Sequence, residues 1–434
     1  MNLPFEAKYK LSRYNVSCQK GDVEYIWNTY SDALIELDER SQKYIHTFVG
    51  NDDGSDDFNL LKKHGFIVYE QIDEIGRICL QEKQELFTKN PRALTIIIVP
   101  GMQCNYSCDY CFEANSDKSG VMTSETALDV ATYICQKLSS NPNIQELRIM
   151  WFGGEPLLYV NIMETISRKV IAYTQMNNII YRARITTNGR FLTQDTLTLL
   201  KELSIEWAQI TVDGTSSSYC KSKGASPEDY KCVIENICNA AGKIGISIRL
   251  NIFDSDANEA IAITDYLLKE CNLLGKIHIY FTQVCDYLSP QEISRHAYVT
   301  YANNYLIWLE HIITHYGTKS VKILTPKQKN TSCGLIRASN TCIGPSGELY
   351  RCEHCFGDVS MISGSIYTGR YFNKADLSYY STINMQSKCS KCEYVPICMG
   401  ACANDCLRGF VRIDCETYKH IQFELKLMEG GVHK

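Results

Sequence analysis

"LTIIIVPGMQCNYSCDYC", residues 94–111, decides how this chain is read. An apolar, β-branched run of strand length stops at Pro100 and Gly101, and Cys104, Cys108 and Cys111 follow within eight residues, with no fourth cysteine nearby. A strand that opens into a ligand-rich loop is the pattern of a parallel sheet, whose sites lie beyond the carboxyl ends of its strands. Five further strand-like runs follow, "ELRIMW", "YRARITT", "WAQITV", "GISIRLNI" and "KIHIYFTQ". Helical patterns separate them at 123–138, 162–176, 193–203 and 227–244, the last with Ser226 as N-cap and Pro227 in its first turn. Alternating strand and helix predicts an α/β parallel sheet with helices outside. Six units rather than eight predict a partial, TIM-like (β/α)6 barrel across 91–325.

Outside this stretch the rhythm changes. Residues 1–90 read as a winged-helix-like module. It has a hairpin at 9–29 with Gly21 at the bend, an "ALIEL" strand, a helix capped by Asp38, a second helix ending at Gly65 and a "FIVYE" strand. Residues 326–434 are loop-rich and cysteine-dense, with too few periodic apolar positions to hold together unaided and a helix at 416–429. A helical stretch at 292–316 precedes them.

The chain has 434 residues, a formal net charge of −5 and 45% hydrophobic residues, which offers no electrostatic case for nucleic acid. No apolar run reaches membrane-span length and the first fourteen residues lack a signal-peptide core, so a cytoplasmic location is expected, without membrane partners. Of 21 cysteines, ten fall between Cys333 and Cys415. In a reducing compartment such clustering points to metal rather than disulfides. Cys18, Cys79, Cys135, Cys232, Cys238 and Cys271 read as ordinary core residues.

Structural zinc takes four ligands, so the trio at 104–111 would need a distant histidine to complete a zinc site. An iron–sulfur cube is the simpler account, because three thiolates take three irons and leave the fourth open to a chelating ligand.

The C-x3-C-x2-C spacing, with Tyr110 before its last cysteine, resembles the radical S-adenosylmethionine superfamily. That resemblance implies a [4Fe–4S] cluster on Cys104, Cys108 and Cys111. Its open iron binds S-adenosylmethionine, and its electron releases a 5′-deoxyadenosyl radical that abstracts a substrate hydrogen. "WFGGEP" closes the second strand, and in the family this string positions the methionine amino group, which assigns Gly153, Gly154 and Glu155. "TTNG" ends the third strand and offers Asn188 toward the ribose; "ITVDG" ends the fourth, with Thr211 matching a family Ser/Thr beside the methionine moiety. Where the family places an arginine for the methionine carboxylate this chain has "SSSYCKSKG", so Lys223 or Lys221 would serve, with Arg249 as a substitute.

The C-terminal cysteines are similar to the SPASM pattern of peptide-modifying radical enzymes. By that analogy one auxiliary [4Fe–4S] cluster uses Cys333, Cys342, Cys352 and Cys402, and a second uses Cys389, Cys392, Cys398 and Cys415, three clusters in all. Cys355 and Cys406 are surplus, and either could replace a ligand; a zinc ribbon competes for the C-x2-C alone. Glu353 follows Cys352, the position where sulfatase-maturing members carry an acid that acts as a base; the alternative is a surface glutamate. The resemblance implies a peptide maturase forming a thioether or carbon–carbon cross-link. Its partners would be a precursor peptide whose leader adds to a sheet edge of the N-terminal module, and a reduced flavodoxin- or ferredoxin-type donor. The alternatives are sulfatase-maturase-like oxidation of a Cys or Ser, and a non-catalytic iron–sulfur scaffold that binds peptides.

Overall fold

The computed structural model describes residues 8–88, 91–113, 119–252, 257–284, 295–317, 326–381, 389–400, 402–408 and 414–432. Counted along the chain, its first five strands are Tyr9–Leu11 (β1), Asn15–Lys20 (β2), Val23–Asn28 (β3), Leu34–Leu37 (β4) and Ile67–Tyr69 (β5). The stretch at 9–29 is not one hairpin. β1 leaves it to pair antiparallel with β5, and only β2 turns back on β3, with Gly21 at φ +62° in the bend. The break is held by Ser12, whose buried hydroxyl donates to Glu74 Oε1 at 2.6 Å while its amide donates to Phe66 O at 2.8 Å. Those partners satisfy the corner internally, so the chain can change sheets there.

Asp38 and Ser55 cap helices Glu39–Thr47 and Asp56–Lys63 through their side chains, and helix Glu74–Leu86 follows β5. This N-terminal part is seated on the C-terminal one. Trp27 is fully buried, edge-on to Tyr394 at 5.9 Å and to Phe423 at 6.1 Å, and Lys20 pairs with Glu424 at 2.8 Å.

The six expected strands of the central sheet are Ala93–Ile98 (β6), Glu146–Trp151 (β7), Ile180–Thr187 (β8), Ile205–Thr211 (β9), Gly245–Ile252 (β10) and His278–Gln283 (β11). All neighbours among them pair in parallel, in chain order. Helices Ser124–Ser139, Val160–Met176, Gln194–Glu202 and Pro227–Ala240 follow the expected patterns. Their apolar faces bury Val130, Ile134, Val170, Leu197 and Ile237 against Ile96, Ile149, Ile185, Ile210 and Ile248 in the main core. Alternation then sends the intervening strand residues to the opposite, inner face.

The C-terminal region joins this sheet. Thr341–Ile343 (β12) pairs parallel with β6, and Glu348–Tyr350 (β13), Gly364–Ser365 (β14) and Gly369–Arg370 (β15) extend it antiparallel to ten strands. Two or three residues are too few for a readable period, so these strands carried no signal in the sequence. Helices Ser216–Lys223 and Ala257–Asp265 were also unforeseen, while helices Arg295–Tyr316 and Cys415–Val432 match expectation. No helix among the described residues is long and apolar enough to cross a membrane.

Candidate active site

Each motif lies where its strand ends, and the strand register brings the motifs together. The cysteine loop follows β6, the GGE turn follows β7, Asn188 follows β8 and Thr211 ends β9. A cavity of about 580 Å3 is lined by Cys104, Cys108, Cys111, Gly153, Gly154, Tyr110, Asn188, Thr211, Lys223 and Arg249. Glu353 and His354 close it from the C-terminal region. One cavity thus brings together the cysteine trio, Glu353 and the residues assigned to the cofactor except Glu155, which lies beneath it, whereas the C-terminal cysteines lie elsewhere.

The loop's shape is imposed by its neighbours. Glu155 N donates to Gln103 O at 2.9 Å, Ser107 N to Lys223 O at 3.2 Å and Asp109 N to Ser222 O at 3.0 Å. A Cβ on Gly154 would lie 2.2 Å from Gln103 O, and one on Gly153, at φ +112°, would lie 2.7 Å from Gly101 O. The glycines therefore let the turn press against the cysteine loop.

Glu155 is fully buried beneath this contact. Its carboxylate accepts from Leu157 N at 3.0 Å, Thr187 Oγ1 at 2.7 Å and Asn188 N at 2.8 Å. Burial pushes its pKa up, and these three bonds only partly oppose the shift. Glu155 fixes the end of β8, and Asn188 in turn donates to Asn105 Oδ1 at 2.8 Å and to the Cys104 sulfur at 3.8 Å.

Tyr110 and Lys223 meet at a third residue that the sequence reading passed over, Asp213. Tyr110 donates to Asp213 Oδ2 at 2.6 Å, Ser222 donates to the same oxygen at 2.8 Å and Lys223 Nζ lies 3.3 Å from it. Lys223 and Asp213 are both 2% exposed, so their charges are matched inside the protein. Burial pulls the lysine pKa down, but Asp213, Tyr110 and Cys108 outweigh it and hold the ammonium well above its ordinary range. The signal available was the aspartate of "ITVDG", read only as a turn. Lys221 is exposed on its helix, whereas Arg249 lines the cavity with Nε bonded to Asn251 Oδ1 at 2.9 Å.

Burial raises the Cys104 thiol to about 11 and raises Cys108 as well, so their thiolates need a cationic partner in this site. No three His, Cys, Asp or Glu side chains among the described residues converge on a single ion position. Three thiols spread over one cavity wall fit a multi-iron cluster better than a lone ion.

Farther along the chain, Cys342 and Cys355 are buried in one apolar cluster, with Cys333 and Cys352 packed against it. Cys402 interacts electrostatically with Cys333. The surplus Cys355 hydrogen-bonds Cys352, and Tyr379 and Arg408 approach its sulfur at 3.2 and 3.8 Å. Cys389 and Cys392 pack beside Tyr14 and Ile78 of the N-terminal part, and Cys392 interacts with Cys398. Cys415 opens the last helix and is exposed; no contact among the described residues brings it to those three. The side chain of Cys406 lies outside the described residues. Cys135, Cys238 and Cys271 pack against the main core as expected, whereas Cys232 accepts from Arg190. Glu353 keeps Oε2 buried without a hydrogen-bond partner among the described residues, and burial pushes its pKa up against the pull of Arg184 and Arg249.

Residues 98–262 match the Radical SAM superfamily model. Over 94% of both chains the sequence is 23% identical to "Radical SAM cyclopropyl synthase TigE" of Paramaledivibacter caminithermalis. The fold is similar to that of native anSMEcpe with bound AdoMet, at a TM-score of 0.64 and 16% identity across 79% of this chain and 100% of that one. It is also similar to Streptococcus suis SuiB bound to precursor peptide SuiA, at 0.52 and 14% across 94% and 99%.

Proposed function

From the premise of a Radical SAM domain at 98–262, we propose that this protein is a maturase of a ribosomally made peptide that installs a cross-link in it. Of the two expected bonds, carbon–carbon is favoured over thioether by the relative named as a cyclopropyl synthase. The observation that carries the reading is the shared cavity, in which the cysteine loop faces Glu353 and His354 from the C-terminal region. When bound, a [4Fe–4S] cluster and S-adenosylmethionine supply the hydrogen-abstracting radical.

The chain's own residues divide the remaining work. Cys104, Cys108 and Cys111 hold the cluster, and the glycine turn with Glu155 keeps their loop in place. Asn188 and Thr211 face the nucleoside and methionine parts of the cofactor. Arg249 takes the methionine carboxylate, because the ammonium of Lys223 is already matched by Asp213. Glu353 Oε2 accepts the proton that leaves the substrate as its new bond forms, and the electron left behind would pass to an auxiliary iron–sulfur cluster held by the C-terminal cysteines.

Two auxiliary clusters complete the proposal, in a SPASM domain at 326–434. Cys333, Cys342, Cys352 and Cys402 hold one, with Cys355 in reserve, and Cys389, Cys392, Cys398 and Cys415 hold the other. Residues 1–90 are a winged-helix-like module that captures the leader on an edge of its three-stranded sheet, where among the described residues β2 and β4 each pair only with β3. A reduced flavodoxin- or ferredoxin-type protein in the cytoplasm supplies electrons. The reading is supported by the similarity to a structure that holds a precursor peptide.

The test is to incubate reduced, cluster-loaded protein with S-adenosylmethionine and candidate precursor peptides from short reading frames sought beside its gene. The expected products are 5′-deoxyadenosine and a peptide lighter by two hydrogens. Cofactor cleavage with an unchanged precursor, but oxidation of a Cys or Ser in a sulfatase-type peptide, would give the second reading instead. No cleavage at all would leave a non-catalytic scaffold.

A further inference from the structure

Below the cysteine cavity, toward the amino ends of the strands, the inner face of the sheet forms a second cavity of about 610 Å3 that shares Met150 with the first. We propose that this lower cavity is a carboxylate-binding subsite that receives an acidic part of the peptide, with Arg184 as its principal contact. The inference rests on the maturase reading above and supplies its substrate class.

The strand register sets out the site. Met150 on β7, Arg184 on β8, Trp207 on β9 and Gly245 on β10 are successive partners in one row across the sheet. One tier lower, Arg148 and Arg182 are partners as well. Residues two apart on a strand point the same way, so both tiers face the same side.

Arg184 is the anomaly. It lies at the centre of the parallel sheet, and its guanidinium donates to the sulfur of Met150. A thioether is a weak acceptor for a group with five N–H donors. Among the described residues no carboxylate lies within ion-pair distance of it, although Arg148 and Arg182 hold Glu146 at 2.6 and 3.0 Å. Glu353 faces both Arg184 and Arg249 without pairing with either. The Arg184 side chain is exposed in the cavity, so its remaining donors face the space that a ligand would fill. A bidentate acceptor would match its planar fork of donors.

Trp207 is built to stand beside it. Its Nε1 donates to Ser247 Oγ at 3.1 Å, and its ring stacks on His278 at 5.6 Å between centroids. A Cβ on Gly245 would fall 2.0 Å from the indole, so glycine is what lets the ring lie across β10. The ring nonetheless stays 37% exposed. A fixed aromatic face next to an arginine with unused donors suits a peptide carboxylate and its flanking amide plane. Met150 lines both cavities, so a peptide residue at Arg184 would lie one side chain away from the cavity of the cysteines.

Either an acidic side chain or the C-terminal carboxylate could supply this group. Ligand-observed NMR on the anaerobic, cluster-loaded protein tests both with acetyl-Gly-Asp-Gly-amide, acetyl-Gly-Gly carboxylate and the control acetyl-Gly-Asn-Gly-amide. At least one acid should bind about tenfold better than the control, a difference of one charge-assisted bond. The preferred acid identifies the source. Arg184→Gln should remove the preference, Arg184→Lys should keep part of it, and Arg184→Glu should favour acetyl-Gly-Lys-Gly-amide, each at wild-type iron content and circular dichroism. Acids that bind no better than the control overturn the proposal, as does a preference unchanged in Arg184→Gln. If an Arg184-dependent preference appears but no peptide is ever modified, the subsite stands and the maturase reading falls. A modified peptide with no such preference gives the reverse.

Discussion

Cys104, Cys108 and Cys111 hang from a loop gripped by backbone bonds from the GGE turn and from helix Ser216–Lys223. Cys389 and Cys398 sit on single-turn helices, and Cys392 directly follows the first, with local bonds such as Cys392 N to Cys389 O and Cys398 N to Tyr394 O. Their outside support comes from a few long-range points, including Thr29 Oγ1 to Glu393 O at 2.5 Å and Lys329 N to Pro396 O at 2.8 Å. The first set is shaped by the sheet before anything binds. The second leans on the N-terminal part and, on the proposal above, would take the rest of its shape from a cluster.

The largest expected effect separates the two sets by chemistry. Changing Cys104, Cys108 and Cys111 together to Ala should remove about four irons and abolish S-adenosylmethionine cleavage, while thermal unfolding shifts little. A large loss of stability would show that the mouth loop also needs its cluster. Cys398→Ala should do the opposite, sparing uncoupled cofactor cleavage but losing peptide product and loosening residues 389–400 in hydrogen exchange. Unchanged product with iron retained would remove Cys398 from the ligand set.

Asp213→Asn probes what grips the mouth. It leaves Lys223 buried without a counter-charge, at a cost of about 3–5 kcal/mol in denaturant unfolding. A cost below about 1 kcal/mol, the value of an exposed pair, would mean the pair is solvated. Trp27→Ala probes what grips the other region and should cost about 3–5 kcal/mol through the cavity left against Tyr394 and Phe423. It should also lower iron retention there, because Tyr394 lies between Cys392 and Cys398. The smallest effect is Tyr110→Phe, which removes one donor to Asp213 for about 1 kcal/mol with cofactor cleavage retained. A complete loss of cleavage would give the hydroxyl a chemical role.

Legibility followed the same divide. Strands β6 to β11 were readable because each is an apolar run of six to eight residues bounded by turns, and the motifs at their ends inherited that certainty of place. Asp213 was not readable as a hub, since only the fold of helix Ser216–Lys223 back onto the loop makes its carboxylate the common partner of Tyr110, Ser222 and Lys223. The same holds for Ser12, which splits the first hairpin through a bond to a residue 62 positions away. The row Met150–Arg184–Trp207 is visible only in register, because sequence shows three residues on three different strands.

The pairing of β12 with β6 has a consequence in time. Thr95 N donates to Asn340 Oδ1 across 245 positions, so this edge of the sheet closes only after most of the chain has left the ribosome. Until then β6 offers an unpaired, apolar edge, the hazard that makes a nascent parallel sheet prone to association. Contacts so distant in sequence also form slowly, since the loop they close must be ordered first. The delay leaves the inner face and the mouth loop open until Glu353 and His354 are drawn across the cavity. Order of synthesis thus becomes order of assembly, in which the mouth is built first and roofed afterwards.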